Sequence, residues 1–551
     1  MDGSMLDHLL FYRGIKTPEE REQFLNPNYD TQTHDPFLLK DAHKAADRII
    51  KAIENNEKVV IYSDYDTDGI PAGVALHDLF NKIGFINFTN YIPHRHDEGF
   101  GLNLDAVQQF IDDKVQLLIT IDCGIADVSC VELAEKNGIN VIVTDHHLPG
   151  EQIPPAYAIV NPKQADCEYP EKMLCGAGVI YKLIQAILAK NRFGIKEGWE
   201  KWLLDMVGIA TLSDMVPLTG ENRVFAYYGL SVLRKSPRKG LVRLLNKLKV
   251  NQRFLTEEDI GFTIGPRINA ASRMGVPMDA FRLLATQDEN EAEKFAHHLD
   301  HINNERKGTV AALVKEVKKH VNERYGAKPE NVIVIGNPQW RPALLGLAAN
   351  TCSEEYKVPV FLWGRDGDDV IKGSCRAAGT VHLLKLMQGV PEGVFMQYGG
   401  HAESGGFSVH SQAIHNLERN LAEVFEKIRG EKHEEAVEYL DLELSPDDVN
   451  FDTYRIIEKL GPYGTGNPKP IIMFRDVVLS NVKQFGKESN HLELTFLKST
   501  GRPVTAIGFF MAPESFEKQP TKGATISLVA SLEKSTFRGR AELRLRIIDI
   551  L

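Results

Sequence analysis

Three aspartates at alternate positions, Asp64, Asp66 and Asp68, close the stretch Val59-Val-Ile-Tyr-Ser-Asp-Tyr-Asp-Thr-Asp-Gly69. Carboxylates this close repel one another, and each raises the pKa of its neighbours. At the mouth of a buried apolar run they call for a hard cation; the plain alternative is a polar turn after a strand. A calcium loop of the helix-loop-helix type is excluded. Its twelfth position should be Glu and is Ala75, and the preceding segment is of β type instead of helical.

Further ligand-type residues follow other apolar runs. Leu-Leu-Ile-Thr-Ile ends at Asp122, and Val-Ile-Val-Thr ends at Asp145, His146 and His147. Gly208-Ile-Ala-Thr-Leu-Ser-Asp-Met-Val216 supplies Asp214. Carboxylates with one or two imidazoles suit Mn²⁺ or Mg²⁺. Two such ions about 3.5–4 Å apart form a clamp for in-line displacement at phosphorus. Each residue also has an ordinary reading: a satisfied core histidine for His146, a helix cap for Asp214 and a solvated loop for Arg95, which sits among His94, His96, Asp97 and Glu98.

The elements that must hold these residues follow from periodicity. Apolar β-type runs at 59–62, 117–121 and 141–144 alternate with helical stretches at 71–82 and 127–137. That alternation predicts an α/β fold with a parallel sheet, whose ligands bind beyond the carboxyl ends of the strands. A helical lead-in is expected over 1–45, and a catalytic domain with a helix-rich extension over 46–285. A long connecting helix, broken or whole, covers 286–330. A second α/β domain spans 331–430, and a small antiparallel β domain spans 431–551, where residues alternate by twos as in Leu543-Arg-Leu-Arg-Ile547.

The bulk numbers set limits. A chain of 551 residues exceeds what one core organises. Hydrophobic content of 43% and charged content of 25% are those of a soluble globular protein. No apolar run reaches the roughly 20 residues that span a bilayer, and residues 1–21 carry no secretion signal. None of the six cysteines forms a Cys-x-x-Cys pair, which fits buried thiols in a reducing cytoplasm. The net charge of −11 argues against wholesale coating of nucleic acid, but local patches decide binding. Residues 234–249 hold seven Lys/Arg and no Asp/Glu, either a solvated helix face or a track for a phosphate backbone. Lys483, Phe485 and Lys487, with Phe537, Arg538, Arg540, Arg544 and Arg546, mix cations and aromatics as single-strand binding does.

Asp-Tyr-Asp-x-Asp-Gly, a lone strand-end Asp, Asp-His-His and a later Asp resemble, in order, the four motifs of the DHH phosphoesterase superfamily. Gly265-Pro-Arg-Ile-Asn-Ala-Ala-Ser-Arg273 resembles a motif of the bacterial RecJ exonuclease family. Ser374-Cys-Arg376 and Gly399-Gly-His-Ala-Glu-Ser-Gly-Gly406 resemble signatures of the DHH-associated domain. Gly461-Pro-Tyr-Gly-Thr-Gly-Asn-Pro-Lys-Pro470 resembles the segment that opens the family's oligonucleotide-binding (OB) barrel.

The resemblance implies two Mn²⁺ or Mg²⁺ ions on Asp64, Asp66, Asp68, Asp122, His146 and Asp214, with Asp122 and Asp214 shared. Asp145 would orient an imidazole from behind the ligands, and His147 would face the scissile phosphate. Arg95 would bind phosphate, Ser374 and Arg376 would hold a terminal 5′-phosphate, Arg273 would narrow the passage to one strand, and His401 would contact substrate. The implied activity is 5′→3′ exonucleolysis of single-stranded DNA to nucleoside 5′-monophosphates in DNA repair and recombination. A helicase and a single-strand-binding protein are the implied partners, in the cytoplasm. Other activities open to the same site are cleavage of short oligonucleotides or cyclic dinucleotides, or a non-catalytic replication scaffold. Departures from the family pattern are Pro71, Ser272, Ser404, Gly405 and, where relatives carry His, Arg341.

Overall fold

The apolar runs of the first domain become β1 (Val59–Ser63), β3 (Leu117–Ile121) and β4 (Asn140–Thr144) in a computed structural model. It describes all residues except 1, 327, 366–369, 380, 401, 430–439, 487–488 and 536–540. Two further strands, β2 (Phe88–Tyr91) and β5 (Ala158–Val160), give a five-stranded sheet of order β2-β1-β3-β4-β5 in which every pairing is parallel. β1 and β3 are buried along their whole length, because helices cover both faces. β2 lies at the edge and is only half-buried, so it lacks the continuous apolar signature of its neighbours.

The register does the positioning. Ser63 pairs with Ile121, and Ile121 with Thr144, so the three strands end level. The ladder then runs one residue further: Asp64 N–H donates to Ile121 O (3.1 Å), Asp122 to Thr144 O (2.9 Å) and Asp145 to Val160 O (3.1 Å). Three strand-end aspartates therefore stand in a row at the carboxyl edge of the sheet.

The helix Gly69–Ile83 begins immediately after the acidic triplet, and Val128–Lys136 follows β3. Pro71 falls in the first turn of its helix, where a missing N–H breaks no intrahelical bond. Glu289–Tyr325 is one unbroken helix of 37 residues, roughly 55 Å long at the usual rise per residue. Its only interior glycine, Gly308, faces open space and costs the helix about 1 kcal/mol. Packing at both ends outweighs that: Phe295, Ala296, Leu299 and Ile302 join the catalytic core, and Leu313, Val317 and Val321 join the second domain.

The second domain contains β6 (Ile333–Gly336), β7 (Val360–Arg365), β8 (Val370–Arg376), β9 (Gln397–Gly400) and β10 (Ser404–His410), in the order β6-β7-β8-β10-β9. Only β6–β7 is parallel. The third has β11 (Leu442–Glu443), β12 (Ile472–Phe485), β13 (His491–Leu497), β14 (Pro503–Phe509), β15 (Thr525–Ser535) and β16 (Glu542–Ile550). Pairing of β12 with β15 closes a five-strand barrel, the OB-like fold. The expected antiparallel domain needs one correction, since β14–β16 and β11–β12 are parallel. A closed ring of five strands cannot alternate direction all the way round.

The N-terminal helices do more than lead in. Leu6, Leu9 and Leu10 of Asp2–Tyr12 pack with Ile456 and Leu460, just ahead of the barrel.

Candidate active site

Asp64, Asp66, Asp68, Asp122, Asp145, His146, His147 and Asp214 all converge beyond the carboxyl edge of the first sheet. Ligand atoms fall into three overlapping groups, each within 4.8 Å: Asp64, Asp66 and Asp122; Asp68, His146 and Asp214; and Asp122, His146 and His147. Asp66 and Asp68 thus sit in different groups. Asp122 and His146 are each common to two, whereas Asp214, expected to be shared, belongs to one.

Local backbone geometry fixes the triplet. Asp66 Oδ1 accepts from the N–H groups of Asp68 (2.7 Å) and Gly69 (3.1 Å), which turns the chain into the helix that follows. Both oxygens of Asp68 accept from the start of the helix Gly176–Lys190, from Gly176 N–H (2.6 Å) and Ala177 N–H (2.7 Å). A helix N-terminus favours negative charge at that place. Gly176 has to be glycine, because a Cβ there would lie 2.7 Å from that of Asp122. Asp122 itself holds a left-handed backbone, φ 61°, which is uncommon for a residue with a side chain. Asp214 ends the helix Leu204–Ser213, and its Oδ2 lies 3.8 Å from His146 Nε2.

Burial and mutual repulsion push the acids up. Asp68 rises to about 7 through burial and the charge of Asp66, and Asp214 to about 9 through burial and the charges of Asp68 and Asp66. Asp64 and Asp122 also move well above the ordinary carboxylate range, chiefly through burial. Burial, reinforced by His147, lowers His146 to about 3, so its ring is neutral. A neutral ring has one nitrogen free as a lone pair, and the nitrogen that faces Asp68, Asp122 and Asp214 is Nε2. That Nε2 lies 3.1 Å from Asp122 Oδ1, a pair that needs a proton or a cation between them. Asp122 Oδ1 and Asp64 Oδ1 are buried with no hydrogen-bond partner among the described residues. Orphaned anionic oxygens, a neutral imidazole and an oxygen-rich donor set fit divalent cations of the Mn²⁺ or Mg²⁺ kind.

Asp145 has a different part. Its Oδ2 accepts from Ile125 N–H (3.0 Å), and its Oδ1 accepts from His146 N–H (2.7 Å) and from His147 Nδ1 (2.7 Å). The imidazole it orients is that of His147. Burial opposes charge on His147, but the hydrogen bond and charge of Asp145 outweigh it and raise its pKa. Asp145 is held correspondingly low: burial works against its charge, and the hydrogen bond from His147 more than offsets that.

Arginines lie beside the acidic cluster: the charge of Arg95 reaches Asp64, and those of Arg95 and Arg273 reach Tyr65. Arg95 lies over the Tyr65 ring at 4.8 Å. Arg273, whose Nη1 donates to Ala343 O at 2.7 Å, is lowered to about 9 by burial and by Arg95, Arg306 and Arg376. Arg273 therefore feels the charge of three other guanidinium groups. Arg376 and Ser374 lie on β8, and Arg376 packs so closely on Gly346 that a Cβ there would come 2.9 Å from Nη2. Arg341 caps the helix Pro342–Tyr356 without a side-chain cap bond. His401 lies outside the described residues.

Other features of the site are not legible from the motifs. Lys163 is half-buried, lowered chiefly by burial, and faces Asp214 and Asp145. It follows β5, a strand of three residues too short to read from periodicity. Phe100, 57% exposed, meets the His147 ring edge-on at 5.6 Å between centroids. The helix start at Gly176 had a signal in Gly176-Ala-Gly178, small residues opening an apolar helix.

Four cations of the basic run 234–249 are engaged in ion pairs. Arg238 pairs with Asp78 and Asp205 (2.6 Å each), Arg243 with Glu289 (2.8 Å), Lys239 with Glu289 (3.6 Å) and Lys247 with Asp300 (3.7 Å). Lys239, Arg243 and Lys247 thus tie the catalytic domain to the long helix, while Arg238 is held within the domain. On the barrel, the rings of Phe485, His491, Phe509 and Phe510 contact one another, and Arg546 lies over Phe509 at 4.3 Å. Lys487, Phe537, Arg538 and Arg540 lie outside the described residues.

The strand-end aspartates and the Asp-His-His turn on a parallel sheet define a DHH-type protein, and residues 58–211 match the family model "DHH family, N-terminal domain". Residues 329–430 match the DHHA1 domain and 440–549 the RecJ OB domain. The chain is 32% identical over 543 residues to the single-stranded-DNA-specific exonuclease RecJ of Bacillus subtilis, covering 98% of this chain and 67% of that protein. It is 30% identical over 560 residues to the protein of the same name from Haemophilus influenzae, covering 98% and 95%. The crystal structure of RecJ in complex with Mn²⁺ from Thermus thermophilus superposes with a TM-score of 0.80 at 25% identity, over 99% of this chain and 76% of that one. The chain belongs to the RecJ family.

Proposed function

We propose that the protein is a metal-dependent 5′→3′ exonuclease that degrades single-stranded DNA to nucleoside 5′-monophosphates, in DNA repair and recombination. The observation that carries this reading is the pair of ligand groups that meet at Asp122 and His146, with the charge of Arg95 close to Asp64. Asp64, Asp66 and Asp122 would hold one divalent cation, and Asp68, His146 and Asp214 the other, with Asp122 and His146 placed between them. Two such cations, when bound, supply positive charge for the scissile phosphate and acidify the attacking water.

The chain's own residues do the rest. Asp145 fixes His147 with Nδ1–H engaged, so Nε2 is the atom left for substrate. The raised pKa of His147 favours the protonated ring, which donates a hydrogen bond to a phosphate oxygen as charge builds there. Arg95, stacked on Tyr65, and Arg273 bind backbone phosphates as planar forks. Ser374 and Arg376 receive the terminal 5′-phosphate and set the direction of entry. Arg273 beside them would narrow the passage to a single strand. The barrel's ring cluster, with Phe510 81% exposed, offers a stacking surface to the incoming strand. An enzyme on short oligonucleotides or cyclic dinucleotides has no use for that surface.

A single-strand nuclease depends on a helicase to expose its substrate and meets single-strand-binding protein on it; both are expected partners. No helix among the described residues is long and apolar enough to cross a membrane, and all six cysteines are buried free thiols. Both facts support a cytoplasmic setting. The test is degradation of a single strand in Mn²⁺ by the wild type and by Asp122→Ala. Equal rates for the two, or no degradation, would overturn the reading.

A further inference from the structure

The segment Gly461–Pro470, which opens the barrel, has no part in the chemistry above. It nevertheless lies against the turn that carries Asp214. After Asp214 the chain passes through Met215, with φ 58°, and Val216 to Pro217 and Leu218 before the helix Gly220–Leu233. Leu218 N–H donates to Thr465 O at 2.7 Å, across almost half the chain. Gly464 and Gly466 rest on Leu218 and Pro217: a Cβ at 464 would meet Leu218 Cδ1 at 2.8 Å, and one at 466 would touch Pro217 Cβ at 3.4 Å. Gly466 also has φ 74°, a backbone that favours glycine.

This contact surface is held rigid from behind. Gly464 and Asn467 exchange backbone hydrogen bonds of 3.0 Å, which closes a tight turn. Asn467 is buried. Its Nδ2 donates to Leu460 O and Pro462 O, both at 2.8 Å, and its Oδ1 accepts from Arg13 Nε at 3.0 Å. Arg223, in the helix that follows the Asp214 turn, donates to Leu460 O (3.1 Å), Gly461 O (2.9 Å) and Phe24 O (3.0 Å) and lies over the Phe24 ring. The N-terminal helices, the turn after Asp214 and the approach to the barrel therefore lock together at one point.

We propose that Asn467 and Arg223 are positioning residues for Asp214: the barrel's opening loop braces the turn that presents this carboxylate to the second ligand group. Lys163 attracts Asp214, but the rest of its surroundings hold it weakly. It sits at a helix end, beside an exposed left-handed residue, and repels Asp68 and Asp66. Docking of the DNA-guiding barrel thereby completes the metal site. The inference rests on the reading of Asp214 as a ligand.

Calorimetric titration of the full-length protein with Mn²⁺ tests it, read as the number and affinity of sites. Wild type binds two ions and Asp214→Ala loses one. Asn467→Ala and Gly464→Val weaken that same site by about 10- to 100-fold, the usual effect of removing support behind a ligand, and leave the other unchanged. Lys469→Ala, which removes a different tie between barrel and catalytic domain, to Glu258, keeps both sites. If Asn467→Ala does not fold, Gly464→Val decides. Wild-type affinity at both sites in a folded variant overturns the inference alone, and loss of both sites in Lys469→Ala likewise overturns it. A wild type that binds no Mn²⁺, or an Asp214→Ala that keeps both ions, overturns the reading of Asp214 as well.

Discussion

His147 Nδ1 donates a 2.7 Å hydrogen bond to Asp145 Oδ1, while the same oxygen accepts the His146 and His147 backbone N–H groups. One carboxylate thus sets both the turn and the orientation of the outer imidazole. The histidines differ electrically: Asp145 biases His147 towards its cation, while burial and the charge of His147 keep His146 neutral.

That separation predicts a pH effect. His147 has a raised pKa and is proposed to act protonated, so its contribution is present at low pH and is lost as pH rises through that value. Asp145→Asn removes the charge that raises it. The alkaline fall in kcat should move to lower pH, and the plateau should drop by about 10- to 100-fold, as for other losses of support behind a catalytic imidazole. Initial rates on a single strand across pH 6–9 (approximately the range of imidazole titration in proteins) check this.

The grouping of ligands predicts distinct losses. Asp66→Ala should remove one Mn²⁺, Asp214→Ala the other, and Asp122→Ala should impair both, because only Asp122 among these three belongs to two groups. Bound Mn²⁺ counted by calorimetry, or by electron paramagnetic resonance, distinguishes the three variants.

Metal removal should cost stability in a pH-dependent way. The folded pKa values of Asp68 and Asp214, about 7 and about 9, lie above those of an unfolded chain. These groups therefore favour the fold of the metal-free protein at low pH and lose that contribution as pH rises towards 9. In EDTA the Tm should fall as pH rises from about 4 to about 9, the span between the unfolded and raised values, and Asp214→Asn should flatten the slope. Mn²⁺ at a hundredfold excess over Kd should restore about 2.7 kcal/mol per site. Scanning calorimetry reads all three effects.

Arg376 should set end preference. Arg376→Ala should reduce the advantage of a 5′-phosphorylated over a 5′-hydroxyl strand by about tenfold or more, the worth of one charge-assisted contact. Competition between the two strands in one reaction measures the ratio directly.

Much of this architecture could be read before any coordinates. Asp64, Asp122 and Asp145 are visible because each follows an uninterrupted apolar run, and the sheet register then places them side by side. The half-buried edge strand β2 and the three-residue β5 carry no such run, so Lys163 at the end of β5 is invisible. The basic run 234–249 gives no sign of its ion pairs, because their acidic partners, Asp78, Asp205, Glu289 and Asp300, are remote in sequence and adjacent only in the fold. Contacts such as Leu218 to Thr465 leave no local signature at all.

End-specific degradation in Mn²⁺ is the most direct measurement. A single strand labelled at its 5′ end should release the label at once as a mononucleotide, whereas a 3′ label should stay on steadily shortening products. Asp122→Ala should do neither. Release of the 3′ label first, internal fragments, or equal activity in EDTA would contradict the account.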